Sequence, residues 1–289
     1  MGNDERGSLY YCFCMDRSEV FNHASRVVRR SGTSFYWAMR LLPREKRESI
    51  YSVYAFCREV DDIADGNALP SEKYRKLDEW RYEIESVFSA VPRTIIGKAL
   101  TLTVERFSLK KIFFHDVLDG MVTDSGPFVR MADAEAFDRY LNQVACSVGR
   151  LSNPIFGITG QNAENLARSL GRALQLTNIL RDVYCDARRD RLYVPHDLIL
   201  RHKIPITTPL EIISHPGFSE IFNALIAEAR KHFVEATEAI LACDPNSIMP
   251  PKLMLEIYSR ILDKVEFGYQ TTGQRKKSLS RFELGTTVL

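Results

Sequence analysis

Along most of the chain, apolar residues recur every three to four positions, the spacing that lays them along one face of an α-helix. The run from Arg44 to Asp65 follows Pro43, a residue suited to a first turn, and stops at Gly66, which predicts a helix over those positions. Ser71 to Val91 carries Leu77, Trp80, Ile84, Val87 and Phe88 as an apolar stripe and reads as a structural helix. Thr94 to Phe107 and Ile112 to Asp124 continue the pattern until Ser125-Gly126-Pro127 breaks it. Asp133 is suited to cap a helix through Val148, and Gln161 or Asn162 to open a long one running past Asp186. A connection with Pro205 and Pro209 then leads to helices over Phe218–Ala242 and Pro251–Val265. Few stretches alternate with period two and Asn-Gly hairpin pairs are absent, so the pattern predicts an all-α protein.

Composition changes this picture only at its edges. A chain of 289 residues with 45 % hydrophobic and 26 % charged residues can bury a large core as one domain or as two tightly merged helical halves. Residues 1–24, with Tyr10, Tyr11 and Phe13, read as a loosely held leader, residues 25–268 as the body, and residues 269–289 as a basic, then weakly apolar tail. The 39 basic and 37 acidic residues nearly balance at +2, which gives no reason to expect a nucleic-acid partner. No apolar run approaches the roughly 18 residues of a spanning helix, and MGNDERGS has no secretory pattern. The six cysteines lack paired zinc spacings and read as reduced thiols. A cytoplasmic protein follows, peripheral at the membrane if its substrates are greasy.

The chemistry is concentrated on two stretches. Gln175, Asn178, Asp182 and Asp186 fall at i, i+3, i+7 and i+11, one oxygen-bearing stripe on the long helix, while Leu176, Ile179, Leu180 and Val183 take other faces. Asp61 and Asp65 stand one turn apart with Asp62 beside them, an arrangement that costs an isolated helix a few tenths of a kcal/mol, so a multivalent cation is the simplest compensation. Either stretch alone reads as a solvated acidic face. If the two face each other they make an oxygen-only cage for a hard cation such as Mg²⁺, and the lack of His and Cys ligands argues against zinc or copper. Arg58, Arg181 and Arg191 are placed to grip phosphate oxygens.

A diphosphate held this way is a good leaving group, and an allylic cation left behind needs a dry aromatic chamber. Phe35, Tyr36, Phe56, Tyr140, Phe156 and Tyr258 are candidates, as well as ordinary core residues. Ser31-Gly32-Thr33-Ser34-Phe35 offers hydroxyls and backbone N–H groups to an anion, or simply caps the next helix.

These residues resemble the squalene/phytoene synthases, in order and over about Ser31 to Asp263. The resemblance rests on Ser31–Phe35, Tyr54–Asp65, Tyr140 with Val144 and Gly149, Gln175–Asp182 with Asp186, Arg191–Pro195, and Tyr258 with Leu262-Asp263. CREVDDIADG and DARRDRLYVP look most like the hopanoid-associated presqualene diphosphate synthase branch. The resemblance implies a single-domain isoprenoid-synthase helical bundle around a central cavity, with residues 25–268 as its catalytic domain. It implies Mg²⁺ as cofactor and Asp61, Asp62, Asp65, Asn178, Asp182 and Asp186 as ligands, with Gln175 in support. Ser31, Thr33, Ser34, Arg58, Gln175, Asn178, Arg181, Arg191 and Tyr193 would meet diphosphate, and Tyr140 and Tyr258 would lie near the reacting carbons.

The implied reaction joins two farnesyl diphosphates head to head into presqualene diphosphate. Transient membrane-surface contact and a downstream squalene-forming enzyme are the implied partners. Phytoene synthase acting on geranylgeranyl diphosphate, squalene or dehydrosqualene synthase, and a noncatalytic assembly factor are the alternatives. Tyr184-Cys185 departs from the family, many members of which have Gly-Glu there.

Overall fold

In the computed structural model, which describes residues 17–33 and 35–272, the helical periods of the sequence become helices with few exceptions. The chain divides into two compact units, the first running to Ser125 with Leu151–Gly157 added, the second made of Gly126–Arg150 and the residues from Ile158 onward.

The first unit contains α1 (Arg17–Arg30), the short α2 (Phe35–Arg40), α3 (Arg44–Asp65), α4 (Pro70–Phe88), α5 (Ile95–Phe107) and α6 (Lys111–Asp124). Residues 17–24, assigned by sequence to a loose leader, are the first turns of α1. Val20, Phe21 and Ala24 are buried there because they share one helical face with Val28, which packs on α3 and α5. The interior of the unit is an aromatic cluster. Phe56 meets Trp80 and Phe114 edge-on at 5.3 and 5.4 Å, and Phe88 meets Phe114 at 6.0 Å. Phe56, proposed as a chamber wall, is fully buried in this cluster.

Both ends of α3 are tied down. The Lys46 ammonium donates to the Phe156 carbonyl at 2.7 Å, and the buried Lys73 donates to the Ala64 carbonyl at 2.7 Å. Lys73 thereby satisfies one of the orphan carbonyls at the helix end that carries Asp61, Asp62 and Asp65. Helix α4 stops at Phe88 rather than Val91, since Ala90 takes a left-handed φ of 59° that no continuing helix permits.

The second unit opens with β1 (Val129–Met131) and α7 (Ala134–Leu141), capped as expected by Asp133, which accepts from Ala136 N at 2.8 Å. A five-residue π-helical turn, Asn142–Cys146, joins α7 to α8 (Ser147–Phe156), whose residues from Leu151 onward belong to the first unit. Then come α9 (Gly160–Ala187), β2 (Arg191–Pro195), α10 (His196–Arg201), α11 (Pro209–Ser214), α12 (Phe218–Leu241) and α13 (Met249–Thr272). Pro209 starts a helix rather than a plain connection, because Thr208 and Glu211 form a capping box. The last helix extends past Val265 to Thr272, into residues read as tail.

The strands β1 and β2 were not expected from the sequence. They pair in parallel, Val129 with Arg191 and Arg130 with Leu192. Among the described residues no helix is long and apolar enough to cross a membrane.

Helix α9 organises the second unit, packing on α7, the π-turn, α11, α12, α13 and β2. Its approach to the π-turn is unusually close. A Cβ on Gly171 would lie 2.9 Å from Cys146 N, and one on Gly149 would lie 2.9 Å from Ala167 Cα. Only glycine admits such contact between backbones.

Candidate active site

In the first unit the sequence-predicted residues gather on one face of α3. Tyr54, Arg58, Asp61, Asp62 and Asp65 follow helical spacing, and Arg58 bridges two of the carboxylates, reaching Asp61 Oδ2 at 3.3 Å through Nη1 and Asp62 Oδ1 through Nη2. Burial is the largest influence on the Arg58 guanidinium and works against its charge, but the Asp62 and Asp61 carboxylates outweigh it and its pKa is raised.

Asp62 and Asp65 are exposed and Asp61 half-buried. Beside them, burial and then the Asp61 charge push the Cys57 thiol up to about 12, so it stays protonated and offers no soft ligand. Tyr54 stands on the same face of α3, one turn before Arg58. Its hydroxyl donates to Ser31 Oγ at 2.9 Å, and Ser31 Oγ donates to the Val28 carbonyl at 2.7 Å, so the turn after α1 is pinned to the carboxylate face of α3. No local pattern could have found a contact spanning 23 residues of sequence.

Within that turn Gly32 has φ 61°, and Thr33 Oγ1 accepts from Phe35 N at 3.2 Å, which is the capping role. Ser34 lies outside the described residues. Tyr36 donates nothing to the core. Its ring stacks toward Tyr51 at 6.5 Å, and its hydroxyl accepts from Arg40 at 2.8 Å.

In the second unit the oxygen stripe lies on the same side of α9 as Gly171, since Asn178 and Asp182 follow it by seven and eleven residues. Asn178 donates to Gln175 Oε1 at 3.4 Å, and Tyr258 of α13 is hydrogen-bonded by both Asn178 and Arg181. Burial raises the Tyr258 pKa despite these two donors, which keeps the phenol neutral.

Arg181 forms a bidentate pair with Asp182, Nε to Oδ1 at 2.9 Å and Nη2 to Oδ2 at 2.6 Å. Burial again works against the Arg181 charge, and the Asp182 bonds more than offset it. Asn178 Oδ1 is buried and accepts from nothing among the described residues. An orphaned buried acceptor is costly, about 1–3 kcal/mol, unless something with positive character fills its lone pairs.

Tyr140 and Tyr193, both buried, stack at 5.1 Å with planes 27° apart, which joins α7 to β2. Between Asp186 and Arg191 the chain turns at Asp190, a non-glycine residue with φ 58°. Arg130 of β1 holds it, donating to the Asp190 carbonyl at 2.6 Å, to its carboxylate, and to the Val129 carbonyl at 2.8 Å. Asp186 and Arg191 are half-buried on either side of this turn, and Tyr184 and Cys185, the departing pair, are exposed.

Among the described residues no three His, Cys, Asp or Glu side chains converge as a ready-made metal group. The donor set nonetheless fits Mg²⁺. It is carboxylate and amide oxygen throughout, it includes a buried oxygen without a donor, and this ion characteristically takes only one or two protein carboxylates and completes its shell with water and substrate phosphate.

Comparison with known proteins identifies the family. Residues 28–283 match the profile of the squalene/phytoene synthase family. A presqualene diphosphate synthase of Sinorhizobium fredii is 38 % identical over 248 residues, covering 86 % of this chain and 88 % of that protein. A phytoene synthase of Thermus thermophilus is 34 % identical over 251 residues, covering 86 % and 85 %. The crystal structure of a squalene synthase from Alicyclobacillus acidocaldarius superposes with a TM-score of 0.78 at 24 % identity, over 86 % of this chain and 94 % of that one, which establishes the shared all-α isoprenoid-synthase fold. With both carboxylate helices, the arginines beside them and the matched profile in hand, the chain belongs to the squalene/phytoene synthase family of prenyltransferases.

Proposed function

We propose that the protein is a Mg²⁺-dependent presqualene diphosphate synthase that joins two farnesyl diphosphates head to head. The observation that carries this reading is the buried, unpartnered Asn178 Oδ1 set within an oxygen-only stripe beside the Arg181–Asp182 pair. Similarity to proteins named presqualene diphosphate synthase supports the choice of the C15 substrate.

In this proposal Asp61, Asp62, Asp65, Asn178, Asp182 and Asp186, with Gln175 in support, would hold the metal. When bound, Mg²⁺ supplies Lewis-acid charge for diphosphate departure. Arg58, Arg181 and Arg191 take the phosphate oxygens, with Ser31, Thr33, Ser34 and Tyr193 as further contacts.

The C1–O bond of the first substrate breaks with its electron pair leaving on diphosphate. The C2=C3 electrons of the second substrate then attack C1, and loss of one proton closes a cyclopropane. The products are presqualene diphosphate, diphosphate and a proton, with no reductant consumed. Tyr140 and Tyr258 lie near the reacting carbons, where their rings stabilise developing positive charge through their faces.

The 34 % identity to a phytoene synthase favours the C20 substrate as the second reading. Parallel assays with farnesyl and geranylgeranyl diphosphate, each with Mg²⁺ and with or without NADPH, and products read by mass spectrometry, decide between them. The proposal expects a C30 cyclopropyl diphosphate without NADPH. No turnover of either substrate overturns it in favour of a noncatalytic assembly factor. As with its substrates, the product is greasy, which suits a cytoplasmic protein that hands it to a downstream squalene-forming enzyme.

A further inference from the structure

Helix α4 buries a stripe at helical spacing, Lys73, Leu77, Trp80, Ile84 and Val87. Four of these residues are apolar. The fifth is a lysine only 7 % exposed, although a lysine at the end of such a stripe ordinarily reaches out to water. Its place on its own helix is also unfavourable. Lys73 is the fourth residue of α4, at the end where the helix dipole repels a cation. Two local preferences are broken at one residue, so the compensation comes from elsewhere in the fold.

That compensation is the end of α3. Lys73 Nζ donates to the Ala64 carbonyl at 2.7 Å, and both residues are buried. A helix C-terminus carries partial negative charge on its last carbonyls. Here Asp61, Asp62 and Asp65 add three carboxylates to that end, and the last turn holds no basic residue. Gly66 is extended, at φ −63° and ψ 167°, so the chain leaves the helix without the left-handed turn that commonly caps such carbonyls. A side chain from the next helix takes that role.

Arg58 offsets two of the same carboxylates, Asp61 and Asp62, but in a different way. Under the function proposed above it turns to phosphate oxygens, whereas Lys73 is buried and bonded to backbone, and stays in place when substrate arrives.

We infer that Lys73 is a positioning residue for the carboxylate turn, its ammonium fixing the Ala64 carbonyl and so holding Asp61, Asp62 and Asp65 in helical register before any cation binds. The inference rests on the proposed function only for what the turn then does. In the metal-free protein the three like charges favour fraying of the helix end, and the lysine opposes it.

Removing the lysine has two opposed effects on a cation. Loss of a positive charge makes the turn more attractive to Mg²⁺, and loss of register weakens its grip. The sign of the change therefore separates positioning from plain charge.

Amide hydrogen exchange of the full-length protein without divalent ions, read by mass spectrometry, gives the first test. The amides of Asp61–Asp65 should exchange at least about a hundredfold more slowly than those of an unstructured chain. Lys73→Met keeps the length of the side chain without its charge. In that variant the same amides should exchange at least about tenfold faster, while those of Ile50–Ala55 in mid-helix are unchanged. The Mg²⁺ concentration for half-maximal turnover of farnesyl diphosphate should rise at least about fivefold.

A wild-type turn that exchanges at the unstructured rate until Mg²⁺ is added overturns the inference, whether or not the variant folds. So does exchange that Lys73→Met leaves unchanged at Asp61–Asp65 or speeds equally along all of α3, and so does a variant that needs no more Mg²⁺ than the wild type. Absence of turnover in the wild type would overturn the proposed function instead, and the exchange measurements would still decide this inference.

Discussion

Replacing Asn178 with leucine would separate what this side chain does for the fold from what it does for a cation. Leucine keeps its branched shape, though bulkier, and removes an acceptor that nothing satisfies, so the stability of the metal-free protein should change by no more than about 1 kcal/mol even though the bonds to Tyr258 and Gln175 are lost. The thermal shift produced by Mg²⁺ with a nonreactive farnesyl thiodiphosphate should vanish in the same variant, as measured by calorimetry. Loss of stability with the shift retained would mean that Asn178 is only a packing residue.

The cysteines give a second measurement at this scale. Near pH 8.5, the ordinary thiol pKa, about half of a free thiol is thiolate, whereas Cys57 with its pKa near 12 holds its proton. Iodoacetamide mapped by peptide mass spectrometry should therefore mark exposed Cys185 well before Cys57, and bound Mg²⁺ and thiodiphosphate should protect Cys185 if the stripe on α9 is occupied.

Among elements, α9 and α3 could be read from sequence because their polar and apolar stripes both keep a 3.6-residue period over many turns, and position on a helix is a local property. The π-turn, the strand pair and the role of Lys73 could not be read. Nothing in Asn142–Cys146 encodes a widened turn by itself, and its close contact with Gly171 on α9 is a tertiary contact. Strands β1 and β2 are three and five residues long, too short for alternation to register. Lys73 looks like any solvated lysine until the carbonyl of Ala64 is brought to it.

Two predictions belong here. Gly171→Ala places a methyl 2.9 Å from a backbone nitrogen and should destabilise the protein by about 1–3 kcal/mol in denaturant unfolding. Arg130→Ala and Asp190→Ala, taken singly and together, should show a coupling energy of about 0.5–3 kcal/mol. Both should raise KM more than they lower kcat, because the turn they hold positions Arg191 rather than touching reacting atoms. A proportional loss in both constants would place them in the chemistry itself.

For the whole molecule, the order of the motifs along the chain was enough to identify the family, and the helices that carry those motifs divide between two compact units. The two carboxylate groups belong to different units, so the proposed function makes a demand on both. Asp62→Asn and Asp182→Asn should each lower turnover by at least about a hundredfold with helical circular dichroism unchanged, since the proposed function assigns metal binding to both groups. Full activity in either variant would mean that one group acts alone.

The π-turn bears on the molecule in one further way. In an unbroken α-helix Tyr140 and Gly149, nine residues apart, would point to opposite sides, at about 100° per residue. The wider turn removes part of that rotation, so Tyr140 can stack on Tyr193 while Gly149 rests on Ala167. Asn142–Cys146 therefore acts as an angular spacer. What it transmits is chain length, and adding or removing one residue there would turn away one of those two contacts, either the Tyr140–Tyr193 stack or the seat of Gly149 on Ala167, without altering a single side chain of the site.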